Sequence, residues 1–234
     1  MFAKHQVEYQ LNGIPNSFEF FLFVNPLGMK CYRCEKELLE SLEQISSKVD
    51  VNILTYHNQA TVHHFMEQLG IKHLSFDERN ELYEVVYTAA LAYKAASLQG
   101  KKLARDFLLR MQKHFNKPKQ GASMTPALSR EGMAEIANDI GLDVQIFFED
   151  LDSQFVKKLF IMDQQIAREM NVNRTPALVI FQNQSSDDGV LLNEHITKET
   201  IIQELDTIVE NYYITQTSVK CAPPSLSIIH KTEA

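Results

Sequence analysis

The sequence predicts an α/β fold interrupted by a block of helices, and three observations carry that reading. Residues Phe18 to Val24, FEFFLFV, form an apolar run broken only by Glu19, the pattern of a strand covered on both faces, as in a parallel sheet. A helical pattern and a second strand candidate, Val51 to Leu54, follow it, which makes the strand–crossover–strand opening of an α/β unit. From about His73 to Ile140 the apolar spacing is helical, with no good strand candidate, before α/β alternation resumes near Phe155.

Each element has its own local reason. Asn25-Pro26 ends the first strand, and Cys31, Cys34, Leu38, Leu42 and Ile45 then recur at spacings of three and four, one face of a helix. A helix is expected near Ala60 to Leu69. In the middle block, Leu82, Val85, Val86, Ala89, Tyr93 and Ala96 mark one stripe, and Leu103, Phe107, Met111 and Phe115 mark another after a break at Gly100. A short helix is expected from Thr125-Pro126, where Pro suits a first helical turn, to just before Gly141. Phe155, Leu159, Met162, Ile166 and Met170 then form a stripe expected in the core. Ala177 to Phe181, the turn Asp187-Asp188-Gly189 and Val190 to Leu192 read as a β-hairpin. Thr197 suits the cap of a last helix whose buried side is Ile201, Leu205, Ile208 and Tyr212. After about Thr215 the chain has little periodicity and contains Pro223-Pro224, so a flexible tail is expected, with Cys221 open to reagents. The expected organisation is a sheet domain from residues 1–72 and 141–215, a helical insertion at 73–140, and a tail at 216–234.

With 234 residues and 44% hydrophobic composition the chain has enough apolar surface for a core that needs no disulfide staples. A net charge of −7 argues against a nucleic-acid binder, since such domains are usually basic. No apolar run of signal-peptide length follows the opening Met1-Phe2-Ala3-Lys4-His5-Gln6, and no stretch approaches membrane-spanning length. A cytoplasmic protein without a membrane partner is therefore expected. Three cysteines in a reducing compartment point to redox chemistry, a metal or plain burial rather than to a disulfide framework.

Two segments carry the chemistry. Asn25-Pro26-Leu27-Gly28-Met29-Lys30-Cys31-Tyr32-Arg33-Cys34 lies at a strand-to-helix junction. Redox thiols belong at helix N-termini, where unpaired N–H groups and the dipole stabilise a thiolate. Val172-Asn173-Arg174-Thr175-Pro176-Ala177-Leu178-Val179-Ile180 lies at a helix-to-strand junction, and Pro176 there suits a tight loop with a cis bond.

The order strand, N-P-L, helix, helical insertion, V-N-R-T-P-A-L-V-I, hairpin, helix is similar to DsbA-type thioredoxin-fold proteins over about residues 15 to 212. The segment from Ala92 to Lys102, AYKAASLQGKK, with FLLRMQ from Phe107 to Gln112, resembles the narrower cytosolic YjbH/SpxH group. The resemblance implies a thioredoxin fold with an inserted all-helical domain. It also implies an adaptor that binds the regulator Spx and promotes its degradation by the ClpXP protease, a redox and stress-response role. Relatives typically read D/N-P-x-C-x-x-C-W/Y, so the alignment sets Gly28 where the attacking cysteine stands and Cys31 at the resolving position. Cys34 is then an extra cysteine one turn later. The other register, with Cys31 attacking and Cys34 resolving, applies if the helix starts later.

Cys31, Cys34 and Pro176 are thus the candidate redox site, and both cysteines are expected to be largely buried. No cofactor is expected, and a zinc site is disfavoured because one C-x-x-C with a distant Cys221 lacks a second ligand pair. His57, His63 and His64 are read as a solvated face. Lys101, Lys102, Arg105, Arg110, Lys113, Lys117 and Lys119 stand against one acid, Asp106; they form either a solvated helix face or a dock for an acidic partner. Two functions remain: the adaptor, and a thiol-disulfide oxidoreductase using the Cys31/Cys34 motif.

Overall fold

A computed structural model of the chain describes residues 5–11, 14–115, 128–183, 189–217 and 226–232. The strands are β1 (His5–Leu11), β2 (Ile14–Pro15), β3 (Ser17–Val24), β4 (Lys48–Thr55), β5 (Ala177–Gln182), β6 (Val190–Leu192) and β7 (Leu226–Thr232). The helices are α1 (Met29–Leu42), α2 (Gln59–Gln68), α3 (Phe76–Leu98), α4 (Lys101–Phe115), α5 (Arg130–Asp139), α6 (Val144–Leu151), α7 (Gln154–Glu169) and α8 (Lys198–Thr217). One sheet has the order β4-β3-β5-β6 and a smaller one the order β2-β1-β7. Among the described residues no helix is long and apolar enough to cross a membrane.

Contacts group the chain into two compact units: residues 1–22, 33–52 and 177–234 in the first, 23–32 and 53–176 in the second. In the first, β3 alternates buried Phe18, Phe20 and Leu22 with half-buried Ser17, Glu19 and Phe21, so only its last residues, Leu22 to Val24, are covered on both faces. β5 and β6 pair antiparallel as the expected hairpin, with Val179 opposite Leu191; Asp187 and Asp188 of its turn lie outside the described residues. Gly189 closes that hairpin against Phe181, whose ring atoms would lie 2.6 Å from any added Cβ. Tyr9 is fully buried, donates to Asp206 Oδ1 at 2.8 Å, and meets Phe18 edge-on. Thr197 caps α8 as expected, accepting from Thr200 N–H at 3.2 Å. The buried side of that helix is Ile201, Leu205 and Val209, with Ile208 half-buried.

β7 is a strand the sequence reading missed. Residues 226–232 pair antiparallel with β1, from His5 opposite Thr232 to Leu11 opposite Leu226. Within the expected flexible tail, residues 226–232 thus form a strand. A strand whose partner lies at the other chain end leaves no local signature beyond Ile228-Ile229. Cys221 lies outside the described residues.

The second unit is helical, and the expected insertion at 73–140 lies wholly within it. α3 is its central element, packing on α4, α6 and α7. Its buried residues, Leu82, Val86, Ala89, Ala90, Leu91, Ala92, Tyr93, Ala95 and Ala96, include the alanines that let neighbouring helices approach. Ser75 and Glu78 cap its start reciprocally. Among the described residues no strand interrupts 59–170. α5 begins at Arg130 behind the Ser129 cap; Thr125-Pro126, the expected start, lies outside the described residues. α6 was not anticipated.

α7 corrects a second expectation. The helix is where it was expected, but its buried face is Val156, Phe160, Asp163 and Ala167. Phe155 and Met162 are about half exposed, at 56% and 52%. Of the two stripes at helical spacing, the one that faces the core is the one that carries a carboxylate. α1 likewise stops at Leu42, so Ile45 is buried beyond its end.

Candidate functional site

The N-P-L-G segment builds a compact turn ahead of α1. Asn25 Oδ1 accepts from Leu27 N–H at 2.9 Å, and Gly28 N–H donates to the Asn25 carbonyl at 3.1 Å. Gly28 caps the helix: its carbonyl takes the first helical bond, from Tyr32 N–H at 3.0 Å. Cys31 sits in the first helical turn and reaches back over that loop, its Sγ accepting from Asn25 N–H at 3.2 Å. It is 2% exposed and Cys34 is 4% exposed, so both thiols point inward and neither forms a disulfide.

Gly28 has ordinary negative φ, unlike Gly70, Gly100 and Gly141, so its backbone tolerates a side chain. A Cβ there would stand 3.3 Å from Cys31 Sγ. Across a disulfide, the Cβ of one residue lies about 3 Å from the partner sulfur, given an S–S bond of about 2.04 Å. The place from which a second thiol would pair with Cys31 is thus occupied by a hydrogen. The Thr175-Pro176 bond is cis, as expected, and Thr175 is buried.

A second constellation, which sequence reasoning missed, joins the end of β4 to α3 and α7. Lys94 Nζ meets Asp163 Oδ2 at 2.6 Å with both side chains nearly buried. Asp163 Oδ2 also accepts from Thr55 N–H at 3.2 Å, while Gln164 accepts from His57 N–H at 3.0 Å and donates to the Thr55 carbonyl at 2.7 Å. Burial pushes the Asp163 carboxyl above the usual carboxylate range, opposed by Lys94 and by the Thr55 bonds. The sequence signal was available: Asp163 falls seven residues after Val156 and four before Ala167, an acid on a buried helical stripe.

His57 corrects the reading of a solvated histidine face. It is 4% exposed, its ring centroid 4.1 Å from that of Tyr83 and 6.4 Å from that of Tyr87. Neither ring nitrogen makes a hydrogen bond of good geometry among the described residues, and the Tyr83 backbone beside the ring only partly offsets its burial. Burial lowers its pKa to about 4, so the ring is neutral at pH 7. His63 and His64 do lie on the surface, beside Glu67. Among the described residues no three His, Cys, Asp or Glu side chains converge as metal ligands.

Comparison with known proteins gives the same architecture. The chain is 29% identical over 204 residues to ClpXP adapter protein SpxH of Bacillus subtilis (strain 168), covering 80% of this chain and 67% of that protein. It is 26% identical over 211 residues to ClpXP adapter protein SpxH of Staphylococcus saprophyticus, covering 90% and 71%. Among solved structures, oxidoreductase DsbA from Xylella fastidiosa superposes with a TM-score of 0.54 at 14% identity, covering 84% of this chain and 86% of that one. Cytosolic disulfide reductase DsbM from Pseudomonas aeruginosa, solved with GSH, gives 0.53 at 13% identity, covering 82% and 99%. The thioredoxin family matches residues 21–203, most of the chain. With that family spanning more than half of its length, this chain belongs to the thioredoxin family, and its fold is that of the DsbA-like proteins.

Proposed function

We propose that this protein is a cytoplasmic adaptor that binds a regulator of the Spx type and promotes its degradation by the ClpXP protease. The observation that carries the reading is Gly28 in front of Cys31 Sγ. Exchange with a client disulfide needs an accessible attacking thiolate. Here the position facing the sulfur has no side chain, and Cys31 and Cys34 are buried. Similarity to ClpXP adapter proteins over most of the chain supports the same reading. An adaptor acts by raising the local concentration of client at the protease, which needs binding surfaces and no chemistry of its own.

A second reading, thiol-disulfide oxidoreductase, is favoured by one contact: Asn25 N–H donates to Cys31 Sγ at the start of a helix, an arrangement that supports a thiolate. In that reading Cys31 and Cys34 are the redox pair and Pro176 shapes the client-binding loop.

The discriminating experiment is degradation of a purified Spx-type regulator by ClpXP with and without this protein. Faster degradation that persists in Cys31→Ser/Cys34→Ser is the expected result. Unchanged degradation would defeat the adaptor reading, and disulfide-reductase turnover abolished by Cys31→Ser would favour the enzyme.

A further inference from the structure

We propose that the outer face of α4, with the groove it forms against α5, binds an acidic segment of a partner protein. At the 100° step of a helix, Lys102, Arg105, Arg110 and Lys113 fall within less than half of the α4 circumference. Asp106 is the one acid of the helix and shares that face. In a chain of net charge −7 this concentration is local and runs against the composition.

Among the described residues the face is also only partly neutralised. Of Lys102, Arg105, Arg110 and Lys113, Arg110 alone has a carboxylate within ion-pair distance among the described residues, Asp139 Oδ2 at 3.0 Å. That bond uses Nη1 only, so the planar fork keeps donors for a second carboxylate. A groove of about 460 Å³ opens beside it, lined by Arg110, Lys113, His114, Ile136 and Asp139. Ile136, nearly buried, gives the groove an apolar floor, so the occupant that fits carries one apolar side chain among carboxylates. Asp139 at the rim, tied to Arg110, rejects a carboxylate on its own side and so biases the segment toward Lys113.

A nucleic acid would meet the same cations but fits worse. The chain's net charge repels a polyanion beyond the patch, and α4 offers no exposed aromatic ring for base stacking: Phe107 is buried and Phe115 half-buried. The proposal concerns this face whatever the protein does for a protease, and it goes beyond the adaptor reading.

The test is fluorescence anisotropy of the full chain with three labelled probes of about ten units each: a Glu-rich peptide carrying one Leu, its Gln-for-Glu counterpart, and an oligothymidine. The expected result is at least tenfold tighter binding of the Glu peptide than of the Gln peptide, weakening about tenfold between about 50 and 300 mM NaCl, because exposed charges are screened within a Debye length of about 6–14 Å over that range. Lys102→Glu/Lys113→Glu should weaken it at least tenfold without moving the urea midpoint, while Lys102→Arg/Lys113→Arg stays near the parent protein. Equal binding of the two peptides, no effect of the charge reversal, or tighter binding of the oligothymidine would each overturn the proposal.

Discussion

Replacing Lys94 with Met is the sharpest test of how the helical unit is held together. The substitution keeps the length of the stem and removes the ammonium that meets Asp163 at 2.6 Å. The Asp163 carboxylate then keeps Thr55 beside it, with the Thr55 N–H at 3.2 Å, in a place where its side chain is 6% exposed. Breaking a buried pair from one side leaves an uncompensated charge, which costs about 3–5 kcal/mol. The carboxyl has one escape, which is to take up a proton. Burial already raises its pKa, and without Lys94 the rise is larger. A folded-state pKa above the unfolded one means the native state binds the proton more tightly, so the variant loses stability as pH rises through that range. Lys94→Met should therefore be most destabilised near pH 8 and partly recover near pH 5. Lys94→Met/Asp163→Leu should cost less than either single change, the remainder being the orphaned Thr55 N–H at about 1–3 kcal/mol. The assay is urea unfolding of all three variants at both pH values. A Lys94→Met cost below about 1 kcal/mol at pH 8, or one that does not shrink at pH 5, would refute a buried, mutually dependent pair.

His57 gives a second pH signature: with its pKa lowered to about 4 in the fold against about 6.5 unfolded, stability is complete above pH 6.5 and falls as pH drops toward 4. That loss is about 3 kcal/mol across the window, and His57→Phe, which suits the space between Tyr83 and Tyr87, should flatten it in urea midpoints at pH 7.5, 5.5 and 4.5; an unchanged slope would mean the ring is protonated when folded. Gly28→Cys should create a disulfide with Cys31, because the new Cβ starts 3.3 Å from Sγ; two fewer titratable thiols under oxidising glutathione in a Cys34→Ala background would show it, and no loss would place the Cys31 sulfur elsewhere.

The sequence by itself determined the elements whose cause is local. Asn25-Pro26 had to end β3, since proline offers no N–H and the Asn25 side chain makes its own turn. The spacing of Leu82, Val86, Ala89 and Ala96 had to make a helix, and the placement of Thr175-Pro176 before an apolar run marked the cis loop. Gly28 and Cys31 were legible as a departure from a motif, because both lie within one turn of chain.

Only the tertiary structure decided which side of α7 is inside. Its sequence carries two stripes at helical spacing, and the one through Phe155 and Met162 is the more apolar. The stripe through Asp163 is buried because Lys94, from α3, brings a compensating charge that no local pattern reveals. His57 is buried for a similar reason, its apolar cover coming from Tyr83 and Tyr87 on α3. β7 exists because β1, at the opposite end of the chain, pairs with its backbone. Helix periodicity and turn chemistry depend on neighbours a few residues away. The cost of burying a charge, a ring nitrogen or an unpaired strand edge depends on groups that only folding brings near.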